Sequence, residues 1–322
     1  STEKRNENFM LKQSRYSKGK KNVKQYSKNN ASKKSGSGKN SYNAYYKKND
    51  DGFQPKSNGK SNYSKKKYPS KSKGYPKKNA QKPSIKIAFL GGLNEIGKNI
   101  TLVECENDII IIDCGMAFPD GDMLGVDLVI RDFTYIEQNA DRVKGIILTH
   151  GHEDHIGGLP FLLSKVNVPI YGTPLTLGLV GNKLKEHSLY NQSQLNVINA
   201  GQSIKLGCMK IDFIHVNHSI PDAVAFAIHT PGGTIVHTGD FKIDCTPITG
   251  DMIDLSSFAR VGDEGVLALL SESTNAERPG YTPTERTVSD SLDNLFKSAE
   301  NYRIIIATFA SNVNRVQQII DC

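Results

Sequence analysis

The sequence predicts an α/β sandwich that opens into a βαβ-type unit, preceded by a long basic segment with no core of its own. Three observations carry this expectation. Charge divides sharply: residues 1–84 hold 24 Lys+Arg against 4 Asp+Glu, and residues 85–322 hold 17 against 29. The net +8 of the 322-residue chain is thus a +20 segment followed by a −12 body. From Ile85 onward, short β-branched apolar runs end in glycine or polar residues, as buried strands do. All eight histidines fall in this second part.

The first segment is built from Lys, Asn, Ser, Gly and Tyr, with Leu11 and Val23 its only large aliphatics. Such a composition cannot bury enough apolar surface to offset ordering entropy, so 1–84 is expected to be disordered. Eight of the chain's thirteen tyrosines lie here, Tyr45 and Tyr46 among them, interleaved with cationic runs such as Lys65, Lys66 and Lys67. Lysines displace counterions from phosphates and aromatic faces stack on bases, which suits single-stranded nucleic acid. A solubilising tail, or one that meets another acidic partner, fits the same composition.

In the body, "IKIAFLGG", "DIIIIDCG", "RVKGIILTHGH", "KIDFIHVNHS", "AVAFAIHT", "GTIVHTGDF", "GVLALLSEST" and "RIIIATFAS" read as strands. "GGLPFLLSKV", "PLTLGLVGNKLKEHS", "TERTVSDSLDNLFKSAEN" and "SNVNRVQQII" read as helices between them. Strands dominate early and strand alternates with helix late, the pattern of a sandwich leading into a βαβ-type unit. "GGLNEIGKN" has neither the dinucleotide-binding glycine spacing nor a Walker ending, and reads as a tight turn near the site.

Several classes drop out. No run approaches the roughly 18–20 apolar residues of a membrane span, and no apolar stretch of a secretory signal opens the chain. The five cysteines are scattered without a C-x-x-C pair, against a disulfide framework or a thiolate zinc site, and a reducing cytoplasm is expected.

The chemistry concentrates in "THGHEDHIGG", where His150, His152, Asp154 and His155 fall within six residues. Residues two apart on a strand share a side, so His150 and His152 can converge on one ion. The turn into the next helix then offers Asp154 and His155 to a second point. Imidazoles with a carboxylate suit zinc or another borderline divalent ion. His218 lies at a strand mouth and Asp240 follows Gly239, where the chain can turn sharply. His215 and His237 lie within strands and are expected to be structural, as are His187 and His229.

These residues, with "GDMLGVDLVIRDFTYI", "NHSIPD", "HTGDFKID", "LLSESTNAERPGYTPTE" and "ATFASNVNRVQQII", resemble the bacterial ribonuclease J family. Its members are β-CASP nucleases of the metallo-β-lactamase superfamily. The resemblance covers residues 85–322. It implies an αββα metallo-β-lactamase sandwich over 85–285 and the start of a β-CASP domain over 286–322. It implies that His150, His152 and His218 hold one zinc, Asp154 and His155 a second, and Asp240 bridges them, with Mg²⁺ or Mn²⁺ as possible activators. Asp113 matches a carboxylate supporting the metal loop, Glu272 an acidic position bracing a late histidine, and Ser311 part of a pocket for an RNA 5′-phosphate. Asp154, Asp240 and Glu272 are the expected catalytic carboxylates.

The family further implies hydrolysis of RNA phosphodiester bonds, 5′→3′ exonuclease with endonuclease action, by metal-activated hydroxide. The expected substrate is single-stranded, 5′-monophosphorylated RNA. A homo-oligomer, and association with an RNA helicase or the ribosome, are the expected partners. The chain reads as part of a longer protein, its last metal-ligating histidine and general acid lying beyond Cys322, and the part alone is expected to be inactive. Two alternatives stay open: a catalytically weak RNA-binding scaffold paralogue, and a small-molecule hydrolase of the same superfamily. The complete His motif speaks against the first, and the segment from Thr282 against the second.

Overall fold

A run of four isoleucines flanked by aspartates can be buried only if both faces of its strand are covered. The computed structural model, which describes residues 82–322, covers both. Residues 1–81, including Tyr45, Tyr46, Lys65, Lys66 and Lys67, lie outside the described residues.

The first sheet comprises β1 (Ile85–Gly91), β2 (Ile100–Cys105), β3 (Asp108–Ile112), β4 (Val143–Ile147), β5 (Ile170–Gly172) and β6 (Leu195–Val197), in that spatial order. Pairing is antiparallel from β1 to β3 and parallel from β3 to β6. Between its strands run α1 (Thr134–Gln138), α2 (Glu153–Ile156), α3 (Leu159–Leu163) and α4 (Pro174–Glu186). The second sheet comprises β7 (Ser203–Leu206), β8 (Met209–His215), β9 (Val224–Thr230), β10 (Gly233–His237) and β11 (Ala268–Leu270), ordered β11-β10-β9-β8-β7. Only β10 and β11 pair in parallel. Helix α5 (Leu255–Glu264) precedes β11, and α6 (Arg286–Ser298) and α7 (Val313–Asp321) follow it.

Strand alternation sorts side chains into three cores. Ile109 and Ile111 of β3 face outward with Ile146 of β4, against Leu159 and Leu162 of α3 and Val180 and Leu184 of α4. Ile110, Ile112 and Ile147 face the other way, meeting Ile211, Phe213, Phe226 and Ile228 of the second sheet. Ala225 and Ala227 of β9 then face Val261 of α5. The layers are helices, sheet, sheet, helix: the αββα sandwich. Among the described residues no helix is long and apolar enough to cross a membrane.

One expected element is absent. "RIIIATFAS" forms no strand, and Ile305 is 89% exposed. A strand needs a neighbour for its ladder, and no described strand runs beside residues 303–309. The segment from Glu285 is joined to the body by polar groups instead. The Glu285 carboxylate accepts from Lys242 Nζ at 2.8 Å and from Arg315 at 2.9 Å. Its backbone N–H donates to Asp244 Oδ2 at 3.0 Å, and its carbonyl accepts from Gln318 at 3.3 Å. Burial works against the Asp244 carboxylate, but bonds from Glu285, Thr284 and Thr246 and the charge of Lys242 hold it down at about 2.

The loop after β3 is strapped to α2 by backbone bonds. Cys114 N–H donates to His155 O at 2.8 Å, and Met116 N–H to Glu153 O at 3.2 Å. Gly115 between them has no room for a side chain, since a Cβ there would stand 1.6 Å from the Asp154 carbonyl oxygen. Gly115→Ala should therefore push α2 away and cost about 1–3 kcal/mol, the scale of overpacking a tight interior. The urea midpoint should fall at unchanged slope; an unchanged midpoint would refute the strap.

Candidate metal centre

Five strand ends build the site, and strand direction explains why they meet. β3 and β4 are parallel neighbours, so Asp113 and the 149–155 loop leave the first sheet at the same end. In the second sheet β8 and β10 both pair antiparallel with β9, so they run alike. His218 follows the first of them and Asp240 the second. β11, parallel to β10, brings Glu272 to the same edge.

His150 and His152 converge, though not on a strand as expected. β4 ends at Ile147, the chain bends at Thr149, and His152 caps α2 in an extended conformation, φ −74° and ψ 151°. His150 Nε2 lies 3.0 Å from His152 Nδ1, and His218 Nε2 lies 3.2 Å from that same nitrogen. The ligand atoms of His150, His152 and His218 fall within 4.8 Å of one another, as do those of His150, His155 and Asp240. Asp154 stands beside the second group, its Oδ2 3.5 Å from His155 Nε2. Asp240 Oδ2 is also 3.5 Å from His155 Nε2 and 3.7 Å from His218 Nε2, so it reaches both groups. Gly239 permits this with φ +57°, a left-handed turn that packs its α-carbon against Thr149.

Behind the imidazoles lies the buried carboxylate of Asp113. It accepts from Thr149 N–H at 2.8 Å and from the Thr149 hydroxyl at 2.8 Å, and His155 Nδ1 is 2.8 Å away. The Thr149 hydroxyl is also 3.0 Å from His150 Nδ1 and 3.3 Å from His155 Nδ1. Asn99 closes the front. Its backbone N–H and side-chain amide both donate to Asp154 O, at 3.0 and 3.1 Å, and the amide nitrogen is 3.2 Å from His155 Nε2. Asn99 ends the "GGLNEIGKN" turn, which does lie at the site: Gly91, Gly92 and Leu93 line the cleft with Asp113, His155 and Asp240.

Glu272 lines the same cleft, its carboxylate accepting from Thr274 N–H at 2.8 Å. Ser311 lies in the turn ahead of α7 and is not among the cleft-lining residues. His215 sits 3.0 Å from Asp251 O, His229 2.9 Å from Asp212, and His187 packs on Phe161. His237 lines the cleft too, with Gly239 N–H donating to its Nδ1 at 3.1 Å. Sequence reasoning missed Asn99 and Thr149. The adjacency of Thr149 to the histidine motif was the one available signal.

The electrostatics fit a cation. Burial lowers the pKa of His150 well below the usual imidazole value, that of His152 below it, and that of His218 to about 4. These rings stay neutral near pH 7, with lone pairs to offer. Burial disfavours the Asp240 carboxylate, but the hydrogen bond to His155 and the charges of His155, His218 and His152 hold it down at about 2. Asp154 likewise stays below the usual range, through His155. His155 is the exception: burial opposes its charge, yet Asp113, Asp154 and Asp240 together raise it well above the usual value. Neutral imidazoles beside ionised carboxylates are the donor chemistry of zinc and similar divalent ions.

Two outcomes follow from these shifts. Without metal, His150, His152 and His218 resist protonation in the fold while the unfolded chain accepts it. Stability in EDTA should fall as pH drops from 6.5 through about 4, and His218→Asn should flatten that fall; a flat urea-midpoint profile would contradict it. His155 adds no slope there, being protonated in both states below 6.5, and its contribution is lost as pH rises through its raised value. Metal binding near pH 7 should release a proton from His155, read by calorimetry in buffers of differing ionisation enthalpy. Buffer-independent heats would refute it.

Comparison with known proteins agrees with this geometry. The chain is 47% identical over 244 residues to ribonuclease J2 of Bacillus subtilis, covering 76% of this chain and 43% of that protein. It is 48% identical over 240 residues to ribonuclease J of Helicobacter pylori, covering 74% and 34%. The chain thus spans less than half the length of these relatives. A protein of unknown function from Enterococcus faecalis shares the fold, with TM-score 0.54 and 18% identity over 74% of this chain and 63% of that one. Residues 93–281, from the turn ahead of Asn99 to the loop beyond Glu272, match the profile of the metallo-beta-lactamase superfamily. With that match spanning more than half of the chain and enclosing each group of the cluster, the chain belongs to the metallo-beta-lactamase superfamily.

Proposed function

We propose that this chain supplies the metal-binding face of a ribonuclease that hydrolyses RNA phosphodiester bonds and leaves 5′-phosphates. The observation that carries it is the convergence of His150, His152, His155, His218 and Asp240 at one edge of the sandwich, in a chain akin to ribonucleases J. His150, His152 and His218 would hold one zinc, His155 and Asp154 a second, with Asp240 between them; Mg²⁺ or Mn²⁺ are alternatives for activity. When bound, paired divalent ions make water nucleophilic near neutral pH and clamp the phosphate for in-line attack.

The chain's own groups supply the rest. Asp113 keeps His155 in place, and Asn99 pins the Asp154 backbone. Glu272, whose carboxylate accepts from Thr274 N–H, lines the cleft, where it would orient a proton-transferring partner. Ser311 would meet the 5′-phosphate ahead of α7, where the free N–H groups of a helix start favour an anion. The −12 body repels RNA at long range, and the +20 segment, with Tyr45, Tyr46 and Lys65 to Lys67, would capture it. We assign residues 85–285 to the catalytic domain and 286–322 to the start of a substrate-facing β-CASP domain. Both 5′→3′ exonuclease and endonuclease action belong to this proposal, as does cytoplasmic residence.

The test is cleavage of 5′-monophosphorylated single-stranded RNA by the full-length protein with Zn²⁺, Mg²⁺ or Mn²⁺. His152→Ala and Asp240→Asn should each lower the rate on the order of 10³-fold, the scale of losing a group that stabilises transition-state charge. Intact RNA with the unaltered protein would overturn the proposal.

Deleting residues 1–84 should weaken RNA capture and flatten its dependence on log salt, by about 0.7 in slope for each lost phosphate contact, while single-turnover cleavage at saturating RNA stays near the parent rate. Equal loss of both would refute the division of labour.

A further inference from the structure

Thr149 stands immediately ahead of the histidine motif and is fully buried. A hydroxyl has one proton to give, and an ionised carboxylate only accepts. The Thr149 proton therefore goes to Asp113 Oδ2, 2.8 Å away. Toward His150 Nδ1, 3.0 Å off, the same oxygen can then only accept. His150 Nδ1 must carry the ring hydrogen, and in a neutral imidazole that leaves the lone pair on Nε2. Nε2 is the atom facing the cluster, 3.0 Å from His152 Nδ1. Asp113 Oδ2 also takes the N–H of His155 Nδ1 at 2.8 Å, which turns His155 Nε2 toward Asp154 and Asp240.

We propose that Thr149 is a positioning residue, a one-proton relay through which Asp113 sets the tautomer of His150 as it directly sets that of His155. A single buried carboxylate thereby aims one ligand nitrogen into each half of the centre. The inference rests on the reading that the cluster holds a divalent cation. It also explains what the relay prevents. Without the hydroxyl, an N–H on His150 Nδ1 would be buried with its acceptor gone, a state proteins avoid. The proton would move to Nε2, and the lone pair that faces the cluster would be lost.

Thr149→Val keeps the shape and removes the hydroxyl; Thr149→Ser keeps the hydroxyl. In the full-length protein, zinc affinity by chelator competition should fall about 10–100-fold in Thr149→Val, the scale for losing a group that orients a ligand histidine, and return in Thr149→Ser. Affinity in Thr149→Val within about twofold of the parent would overturn the relay. Should Thr149→Val fail to fold, the unaltered protein decides. Long-range ¹⁵N–¹H spectra of the metal-free form should show His150 protonated at Nδ1, and protonation at Nε2 would overturn the proposal. Neither readout uses RNA, so failure of the relay and failure of the proposed nuclease reaction are separately visible.

Discussion

The site depends on one buried carboxylate. Asp113 leaves β3 in a left-handed conformation, φ +60°, which after glycine Asp and Asn adopt most readily. Burying a carboxylate is costly unless donors surround it, and three groups do so: the Thr149 N–H, the Thr149 hydroxyl and the His155 ring. Its backbone N–H donates to Ile147 O at 3.0 Å, continuing the β3–β4 ladder past the last strand residue. The same residue thus finishes the sheet and begins the metal centre. Any displacement of β3 against β4 is transmitted to both groups of imidazoles.

Much of this was legible before the fold was known. Three histidines and an aspartate in six residues announce a metal site by density alone, and apolar runs such as "DIIIIDCG" announce a sheet covered on both sides. The order of the strands, and hence the meeting of residues as distant as Asp113 and Asp240, was not in any local pattern. Asn99 and Thr149 escaped for the same reason: an asparagine ending a turn and a threonine after a strand look ordinary until partners 55 and 36 residues away are placed beside them. "RIIIATFAS" failed in the opposite way. Its composition favours a strand, but strand formation is a property of pairs, and the described residues provide no second member.

Electrostatically the centre is divided against itself. Burial keeps His150, His152 and His218 neutral, while Asp113, Asp154 and Asp240 surround His155 with negative charge. Without metal, a protonated His155 stands in for part of the missing cation charge. Asp154 and Asp240 are held ionised in part by the very imidazole that must give up its proton, so the site is balanced for exchange of a proton for a metal.

The junction at Glu285 has a mechanical meaning. Lys242, two residues beyond Asp240, shares the Glu285 carboxylate with Arg315 of α7, and Lys242 N–H is bonded to Asn217 O beside His218. Two loops that carry cluster residues therefore end in the same ionic knot as α6 and α7. These pairs are partly shielded from solvent, so salt screens them less than exposed ones, and a shift of α6 or α7 reaches the two loops through Glu285.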